Sequence, residues 1–587
     1  MSREHVLARS PLLDEAVTPQ PVEAFQTEIV AVGEDTSKLR IALLVDSFTQ
    51  PSWVHKITDD IVGSYFAQIV LIIKRDALGN DSRGVLGRWS RNGDSALWTI
   101  YSRFDNLTQS PYPDPFLHLD IMPLIQGCPI LRIQSVNDRQ EQHLGDEEIS
   151  AILSYDIDVM LEFSSTRLDE AALRIAKFGV WSASSSTNCT PRKGPPGFWE
   201  VMQNEAAIEF TLRMATSDRK HPKVLYRSWT STDLCSIKGT RSKVYWKSAI
   251  AIVRKLRNLH HRGPVSLEEE QSEMVPQPQP RDALNVSVPT NAQMLLFLAK
   301  VGKRRLLRRL RNVSHLEQWF LAYKFGEQSG PDYSFRDVKY LKPPPDRFWA
   351  DPFPLEKGGN YYIFLEEFLY KTMKGHISVI EMDYHGAWKQ PKIILERDYH
   401  LSYPFLFEWR GDLYMVPETK HNNTIELYRC VHFPHEWKFE MVLIDQIQAV
   451  DATLHEMDGI WWLFCCVGGR DFASNDELHL FYAETPLGPW NPHRCNPIKS
   501  DVRSSRPAGK LFHWKGHLYR PSQDCSVRMG GALCINRVTS LSREHYQEEV
   551  ITRIEPKWMK GIYGTHTLNN TGRLMVTDYF GYVRKYF

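Results

Sequence analysis

"WRGDLYMVPETKHNNTIELYRC", Trp409 to Cys430, decides the fold of the second half of the chain. Arg410, Gly411 and Asp412 give a turn signal, and the two runs after them, LYMVPET and TIELYRC, have the length and the β-branched and aromatic content of short strands. The order then recurs. "KGGNYYIFLEE" from Lys357, "MDGIWWLFCC" from Met457, "WKGHLYRPSQD" from Trp514 and "NTGRLMVTDYF" from Asn570 each set a glycine turn before an apolar strand, at a spacing of about 50 residues. The first four units continue into an alternating strand ("HISVIEMD", "TIELYRC", "ELHLFYAE", "ALCINRV"), and three of them reach a Trp-bearing loop. Five units of four short strands predict an all-β five-bladed propeller over 331–587. The C-terminal "YVRKYF" is expected to close the ring against a segment just before Asp351.

In a propeller the innermost strand of each blade lines the central channel, so the residues that enter each repeat converge. Here they are Asp351 in "RFWADPF", Tyr403 in "SYPF", Asp451 in "VDATL", Arg506 in "SRPAG" and His566 in "GTHTLN". The adjoining strands add Glu418 and the pair Gln523–Asp524, and Arg347 precedes the first Asp. Unpaired buried charge costs several kcal/mol per group, so a ring of carboxylates with an Arg, a Gln and a His points to function. The alternative is that Asp351 and Asp451 cap blade turns and Arg506 neutralises them.

The first half obeys a different rule. "LRIALLVDSF" (Leu39–Phe48), "AQIVLIIKRD" and "YDIDVMLEFSS" are continuous apolar runs of strand length, as fully buried parallel strands are, and "RLDEAALRIAKF" has helical spacing. Alternating patterns predict an α/β domain over 38–260 that ends in the amphipathic helix "SKVYWKSAIAIVRKLRNL". A flexible arm (1–37) precedes it, and a Pro/Gln/Glu-rich linker (261–290) comes after it. Residues 291–330 form a basic amphipathic helical segment. Leu296, Leu298, Val301, Leu306, Leu307 and Leu310 stand against seven Lys and Arg residues, so 294–311 suits either peripheral contact with an anionic membrane or a solvated helix packed by one stripe.

Composition narrows the classes. A chain of 587 residues exceeds one ordinary domain, and 42% apolar with 24% charged content is that of a soluble globular protein. A net charge of +1 gives no pull toward nucleic acid. The nine Cys show no zinc spacing, and Cys465–Cys466 sit in an apolar run, so free thiols in a reducing compartment are expected. No signal-peptide core or membrane-length apolar run is evident, which predicts a cytoplasmic protein, with the basic segment as its one route to a membrane surface.

Two resemblances extend this. An Asp in the first blade, an Asp opening the third and "LHLFYAETPLGPW" resemble the five-bladed propeller glycosidases of the arabinanase/β-xylosidase and invertase groups. The resemblance implies Asp351 as base or nucleophile and Asp451 as the Asp that tunes the acid. Where the acid Glu is expected the chain reads "SRPAG", so Glu418 becomes the substitute acid and Arg506 suits an anion such as phosphate. The string "RFWADPF … PET … LYR … DATL … RPAG … QDC … HTLN", over Arg347–Thr577, most closely resembles the propeller domain of the glucosamine inositolphosphorylceramide transferases, in which another domain carries the transferase fold. These resemblances imply glycosyl transfer or cleavage on a sugar nucleotide, glycolipid or polysaccharide intermediate, with Gln523, Asp524, His566, Tyr403 and Arg347 binding substrate. The alternative is a non-catalytic glycan-binding or scaffold protein.

In the first half, "GVWSASSSTNCTPRKGPPGFWE" and its surroundings, Leu39 to Arg227, resemble the methionyl-tRNA and sugar N-formyltransferases, a Rossmann-like fold. The Asn and His positions that the resemblance implies fall on Ser182 and Ser184, and Asp218 is the nearest third member. A serine cannot change charge near neutral pH as histidine does. The expectation is therefore a formyltransferase-like domain that keeps the fold without the chemistry, the alternative being a sugar N-formyltransferase that uses formyl-tetrahydrofolate. No cofactor and no metal are called for.

Overall fold

The computed structural model describes residues 37–76, 96–106, 113–134, 141–142, 144–164, 167–168, 172–185, 195–216, 222–267, 289–326, 330–331, 333, 335–468 and 475–585. The expected arm (1–37) lies outside these but for its last residue, as do Asp218 and 268–288 of the expected linker. Two compact units divide the chain, an α/β unit up to Leu306 and a propeller unit from Leu307.

The α/β unit is built on a seven-stranded sheet. In spatial order its strands are Lys223–Ser231, Ala207–Met214, Val180–Ser185, Val159–Glu162, Leu39–Val45, Ala67–Asp76 and Ile130–Gln134. The last five run parallel, and Ala207–Met214 is antiparallel to both of its neighbours. Leu39–Val45 lies at the centre, and six of its seven residues are buried, which is what an uninterrupted apolar run does between two helical layers. The helix Ile237–Arg262 starts at Ser236, whose hydroxyl accepts from Gly239 N–H at 2.9 Å, and a short 3₁₀ turn succeeds it at Gly263–Leu267. Leu267 is buried in the core, so the unit runs beyond the expected boundary at 260. "RLDEAALRIAKF" is not an α-helix among its described residues. It holds the two-residue strand Arg167–Leu168 and the 3₁₀ turn Ala172–Arg174, and Leu168, Ala172, Ile175 and Ala176 are buried in one cluster.

The propeller has five sheets around one axis. Blade 1 comprises Arg347–Lys357, Asn360–Leu369, Lys374–Asp383 and Lys392–Leu395. Blade 2 comprises Ser402–Trp409, Asp412–Thr419, Thr424–His432 and Glu436–Ile444. Blade 3 runs from Ala449 to Ser500 and blade 4 from Phe512 to Ile554. Stacked aromatic pairs sit directly across neighbouring strands in four blades: Phe348 with Phe368, Phe407 with Tyr414, Phe512 with Tyr519, and Phe320 with Tyr579.

Blade 5 closes the ring differently from the expectation. Its C-terminal strand Leu574–Arg584 pairs along its whole length with His315–Phe325, from His315↔Arg584 to Phe325↔Leu574, and not with residues just before Asp351. The basic helix accordingly ends at Ser314, and part of the segment assigned to it belongs to the propeller. "HLEQWFLAYKF" buries Trp319, Leu321, Ala322 and Tyr323, and its aromatic and aliphatic residues favour a strand once a free edge is available to pair with.

A charged cluster at the propeller axis as candidate functional site

The inner strands of blades 1, 2 and 3 break register at one equivalent place, between Ala350 and Phe353, Ser402 and Phe405, and Val450 and Thr453. The residues inside these breaks, Asp351, Tyr403 and Asp451, have φ of 51°, 45° and 54°. Left-handed backbone costs a non-glycine residue on the order of 1–3 kcal/mol and persists where its surroundings impose it. Three repeats of the same strain carry these side chains off the regular strand alternation and into one buried network.

Asp351, His566 and Asp578 form its first part. The Asp351 carboxylate accepts from Thr567 Oγ1 at 2.6 Å and from Tyr403 N–H at 3.2 Å, while Asp578 accepts from the N–H groups of Asp351, His566 and Thr567 at 2.8–3.1 Å. His566 lies between the two carboxylates, with Nε2 3.2 Å from Asp351 and Nδ1 2.7 Å from Asp578, the latter off the line of a hydrogen bond and so an ionic contact. Burial pushes the imidazole down, but Asp578 and Asp351 outweigh it and hold His566 well above its ordinary value. Burial likewise pushes Asp351 up, and the His566 charge brings it below the usual carboxylate range. The ligand atoms of these three residues lie within 4.8 Å of one another, close enough for a metal ion. An imidazolium cross-linking two carboxylates is the better fit, because a metal ligand must give up its proton at the bound nitrogen.

Asp451 and Arg506 form the second part. Arg506 Nε donates to Asp451 Oδ2 at 2.6 Å and Nη2 to Oδ1 at 3.2 Å, a two-point pair. Gln523 Nε2 donates to the same Asp451 oxygen at 2.8 Å and to Pro507 O at 2.9 Å. The remaining fork of Arg506 meets Asn475 Oδ1 at 2.7 Å and Met529 Sδ at 3.3 Å. Its cationic state is secured, since Asp451 and Glu418 overcome the burial that would discharge it. Arg520, fully buried, fixes the approach to Arg506 by donating to Ser504 O and Ser505 O at 2.7 and 3.1 Å while pairing with Glu548. The Tyr403 hydroxyl accepts from Gly509 N–H at 2.8 Å and shares a hydrogen bond with Thr453. A side chain at residue 509, where φ is 131°, would start 2.3 Å from Leu568 O, so only glycine brings blade 4 this close to blade 5.

Besides His566 Nδ1, whose contact is ionic, Glu418 is where this network leaves a buried polar atom without a hydrogen bond. Its Oε2 is buried without a hydrogen-bond partner and stands 3.9 Å from Arg506 Nη2. Burial and the Asp451 charge push its carboxyl up to about 8 against the pull of Arg506, so it holds a proton at neutral pH. Glu366 pairs with Ala350 one residue before the blade 1 break, as Glu418 pairs with Ser402 in blade 2. Burial raises Glu366 well above its ordinary value too, helped by Asp351 and opposed by His566. His400 Nε2 lies 3.5 Å from it, and the burial of that imidazole pushes it down to about 4. Sequence reasoning passes over Glu366, although its register equivalence with Glu418 is the available signal.

Of the expected residues, Asp351, Tyr403, Glu418, Asp451, Arg506, Gln523 and His566 belong to this network. Two do not. Asp524 turns to Arg553, at 2.8 Å, and to Ser526. Arg347 is taken up by Asp346 and by Glu367, which also binds His376, Ser378 and Trp349 inside blade 1. Strand alternation puts both on the wrong side, since each is one residue away from a position that faces the network. Arg506 also differs from the expectation: its donors are engaged within the protein, so it is a counter-charge and not a free anion clamp.

In the α/β unit, Ser182 and Ser184 lie two apart on Val180–Ser185, paired with Arg213 and Thr211, and Asp218 lies outside the described residues, so the third member of that constellation is not described. At the carboxyl ends of the parallel strands, where such sheets take ligands, Asp46 pairs with Arg75 at 2.8 Å and accepts from Ser164 at 2.7 Å.

A five-bladed propeller with a buried acidic and cationic axis is the class that fold and site define. Within it, the sequence profile described as "Glucosamine inositolphosphorylceramide transferase 1, N-terminal" matches residues 339–569, which hold all of the network except Asp578. Over 208 residues the chain is 39% identical to the glucosamine inositolphosphorylceramide transferase 1 of Oryza sativa subsp. japonica, covering 35% of this chain and 28% of that protein. Over 212 residues it is 37% identical to the protein of that name in Arabidopsis thaliana, covering 35% and 27%. The chain thus matches little more than a quarter of the length of these relatives. Among solved structures, a family 117 glycoside hydrolase of Zobellia galactanivorans aligns with 14% identity and a TM-score of 0.30, covering 45% of this chain and 90% of its own. The arabinanase Arb43A of Bacillus subtilis aligns with 14% identity and a TM-score of 0.28, covering 39% and 92%.

Proposed function

We propose that the chain is a carbohydrate-active protein whose propeller axis acts on a glycolipid or its sugar precursor by glycosyl transfer. The observation that carries this is Glu418, a buried carboxyl raised to about 8 with an unpartnered oxygen, set beside fixed charges of both signs. A carboxylic acid protonated at neutral pH can give its proton to the departing oxygen as the anomeric bond breaks and, as carboxylate, take the proton of the acceptor hydroxyl as the new bond forms; loss of such a group lowers rates by about 10²–10⁴. Asp351 already accepts three contacts, from Thr567, Tyr403 and His566, which suits a fixed negative charge facing a developing oxocarbenium ion better than a nucleophile. Burial raises Glu418 first, Asp451 adds to the rise by repulsion and Arg506 limits it. The names of the plant relatives suggest the acceptor class, an inositolphosphorylceramide.

A second reading is favoured by a specific observation. Asp351 with His566 and Asp451 with Arg506 satisfy each other and are almost fully buried, as a rigid, non-catalytic glycan-binding propeller would have them. Product mass spectrometry separates the two. The chain is incubated with nucleotide sugars and inositol-phospholipid acceptors, wild type beside Glu418→Gln. Transfer that falls at least about a hundredfold in the variant supports the proposal. Acceptor binding without turnover in either protein overturns it in favour of the binding reading.

A further inference from the structure

The helix Asn291–Ser314 has two apolar faces, and only one is used. Met294, Phe297 and Val301 are buried against Phe198, Trp199, Val201 and Met202. Lys300 and Arg304 tighten this side by donating to Met202 O, Val201 O and Leu234 O at 2.9–3.1 Å. On the other side Leu295, Leu296, Leu306, Leu307, Leu310 and Val313 are 51–61% exposed. At the helical 100° per residue these six fall within an arc of roughly 120°, opposite the buried face. From Leu306 to Ser314 every residue is exposed.

We infer that this outer face is a docking surface for an anionic lipid bilayer. Charge complementarity selects the occupant. The helix carries seven Lys and Arg and no Asp or Glu. Lys303 lies within the leucine stripe, Arg309 borders one edge, and both are exposed and without an ion pair among the described residues. Leucines flanked by free cations match the boundary between acyl chains and acidic headgroups, where the leucines leave water and the cations stay in it. A second copy of the same helix is the poorer occupant, because it would bring Lys303 and Arg309 against their own copies with no acidic residue on the helix to offset them. Among the described residues no helix is long and apolar enough to cross a membrane, so the contact is one that lies on the surface. The docking surface is a property of the helix alone and does not depend on the chemistry at the propeller axis.

The test is flotation of the full chain with phosphatidylcholine vesicles, with and without phosphatidylserine. The protein is expected to float with the phosphatidylserine vesicles and to be released by high salt. Lys303→Gln with Arg309→Gln should weaken partitioning roughly 30-fold, at ~1 kcal/mol per cation near the surface. Leu306→Gln with Leu310→Gln should weaken it by about a hundredfold or more, each leucine leaving an apolar phase. All four side chains are exposed, so melting temperatures should match wild type, and light scattering should show an unchanged mass. Failure to float with phosphatidylserine vesicles overturns the inference, as does a leucine variant that floats like wild type. A leucine variant that changes only the oligomeric mass overturns it too, and assigns the face to self-association instead.

Discussion

Replacing Glu418 by Gln should make the propeller more stable and less active at once. The folded protein keeps the Glu418 proton up to about pH 8, because burial and Asp451 oppose its ionisation, whereas the unfolded chain releases it near the ordinary carboxyl value of 4.5. By linkage, the native state binds the extra proton, so stability is full below pH 4.5 and falls as pH rises toward 8. Two and a half units separate pH 7 from 4.5, and at 1.36 kcal/mol per unit the penalty in wild type is about 3 kcal/mol. Gln fits the same space, carries no ionisable proton and removes the penalty. For a unit of this size the gain is a melting temperature higher by about 6–12 °C at pH 7, and by almost nothing at pH 4.5. Calorimetry of both proteins at the two pH values reads this directly. An equal gap at both pH values, or a variant less stable than wild type at pH 7, would refute the argument that Glu418 is a strained, protonated acid. Active sites commonly trade stability for reactivity in this way.

Removing the central imidazole has the opposite sign. His566→Gln leaves Asp351 and Asp578 facing each other without a counter-charge, and chemical denaturation should show a loss of about 3–5 kcal/mol, part of which Asp578→Asn restores in the double variant. Because His566 is held well above its ordinary value, its contribution is full below pH 6.5 and falls as pH rises from there toward that higher value, so the deficit should be full at pH 5 and smaller at pH 7 and above. Trp319→Ala should cost about 3–5 kcal/mol in the propeller transition, since Trp319 packs 4.2 Å from His566 and 5.4 Å from Phe580 on the closing strand; an unchanged transition would mean that His315–Phe325 does not close the ring. Incubation with formyl-tetrahydrofolate and amino sugars should yield no product with an added formyl mass, and such a product would show that Ser182 and Ser184 sustain a chemistry they are not expected to support.

The propeller is legible because its signal is repeated. A glycine turn before an aromatic strand is weak evidence once and strong evidence five times, and four of the five blades lie where the repeats put them. The fifth escapes at its edge for a physical reason. His315–Phe325 has no turn or repeat of its own to announce it, and its strand character becomes visible only through Leu574–Arg584, more than two hundred residues later. Strand pairing over that separation is decided by tertiary contacts, to which local pattern is blind. Over "RLDEAALRIAKF", where the spacing of Leu168, Ala171, Leu173 and Ala176 suggests a helix, the described residues form none, and the buried side chains are Leu168, Ala172, Ile175 and Ala176.

The axis itself is readable to the nearest residue in blades 1 to 3 and less so beyond. Asp351, Tyr403 and Asp451 each occupy the strained position inside a register break, and nothing in the sequence announces the break; what places them is their position at the start of each repeat. The second strands give no such anchor. There the choice of side chain depends on counting outward from the break, which is why Glu366 is overlooked while Asp524, one residue out of phase, is included; Arg347 is out of phase in the same way on the inner strand of blade 1. Arg506 illustrates a further limit. Its identity at the axis is evident, but whether it serves a ligand or a neighbour depends on the partners of its five N–H groups, and Asp451, Asn475 and Met529 reach it from separate parts of blades 3 and 4. With Arg506 tied to Asp451 and His566 tied to Asp351 and Asp578, these charges are engaged with one another, while Glu418 keeps an oxygen that the protein does not occupy. On the proposed reading, chemistry at the axis turns on Glu418, whose proton burial and the paired charges hold, rather than on Arg506 or His566, which are engaged within the protein.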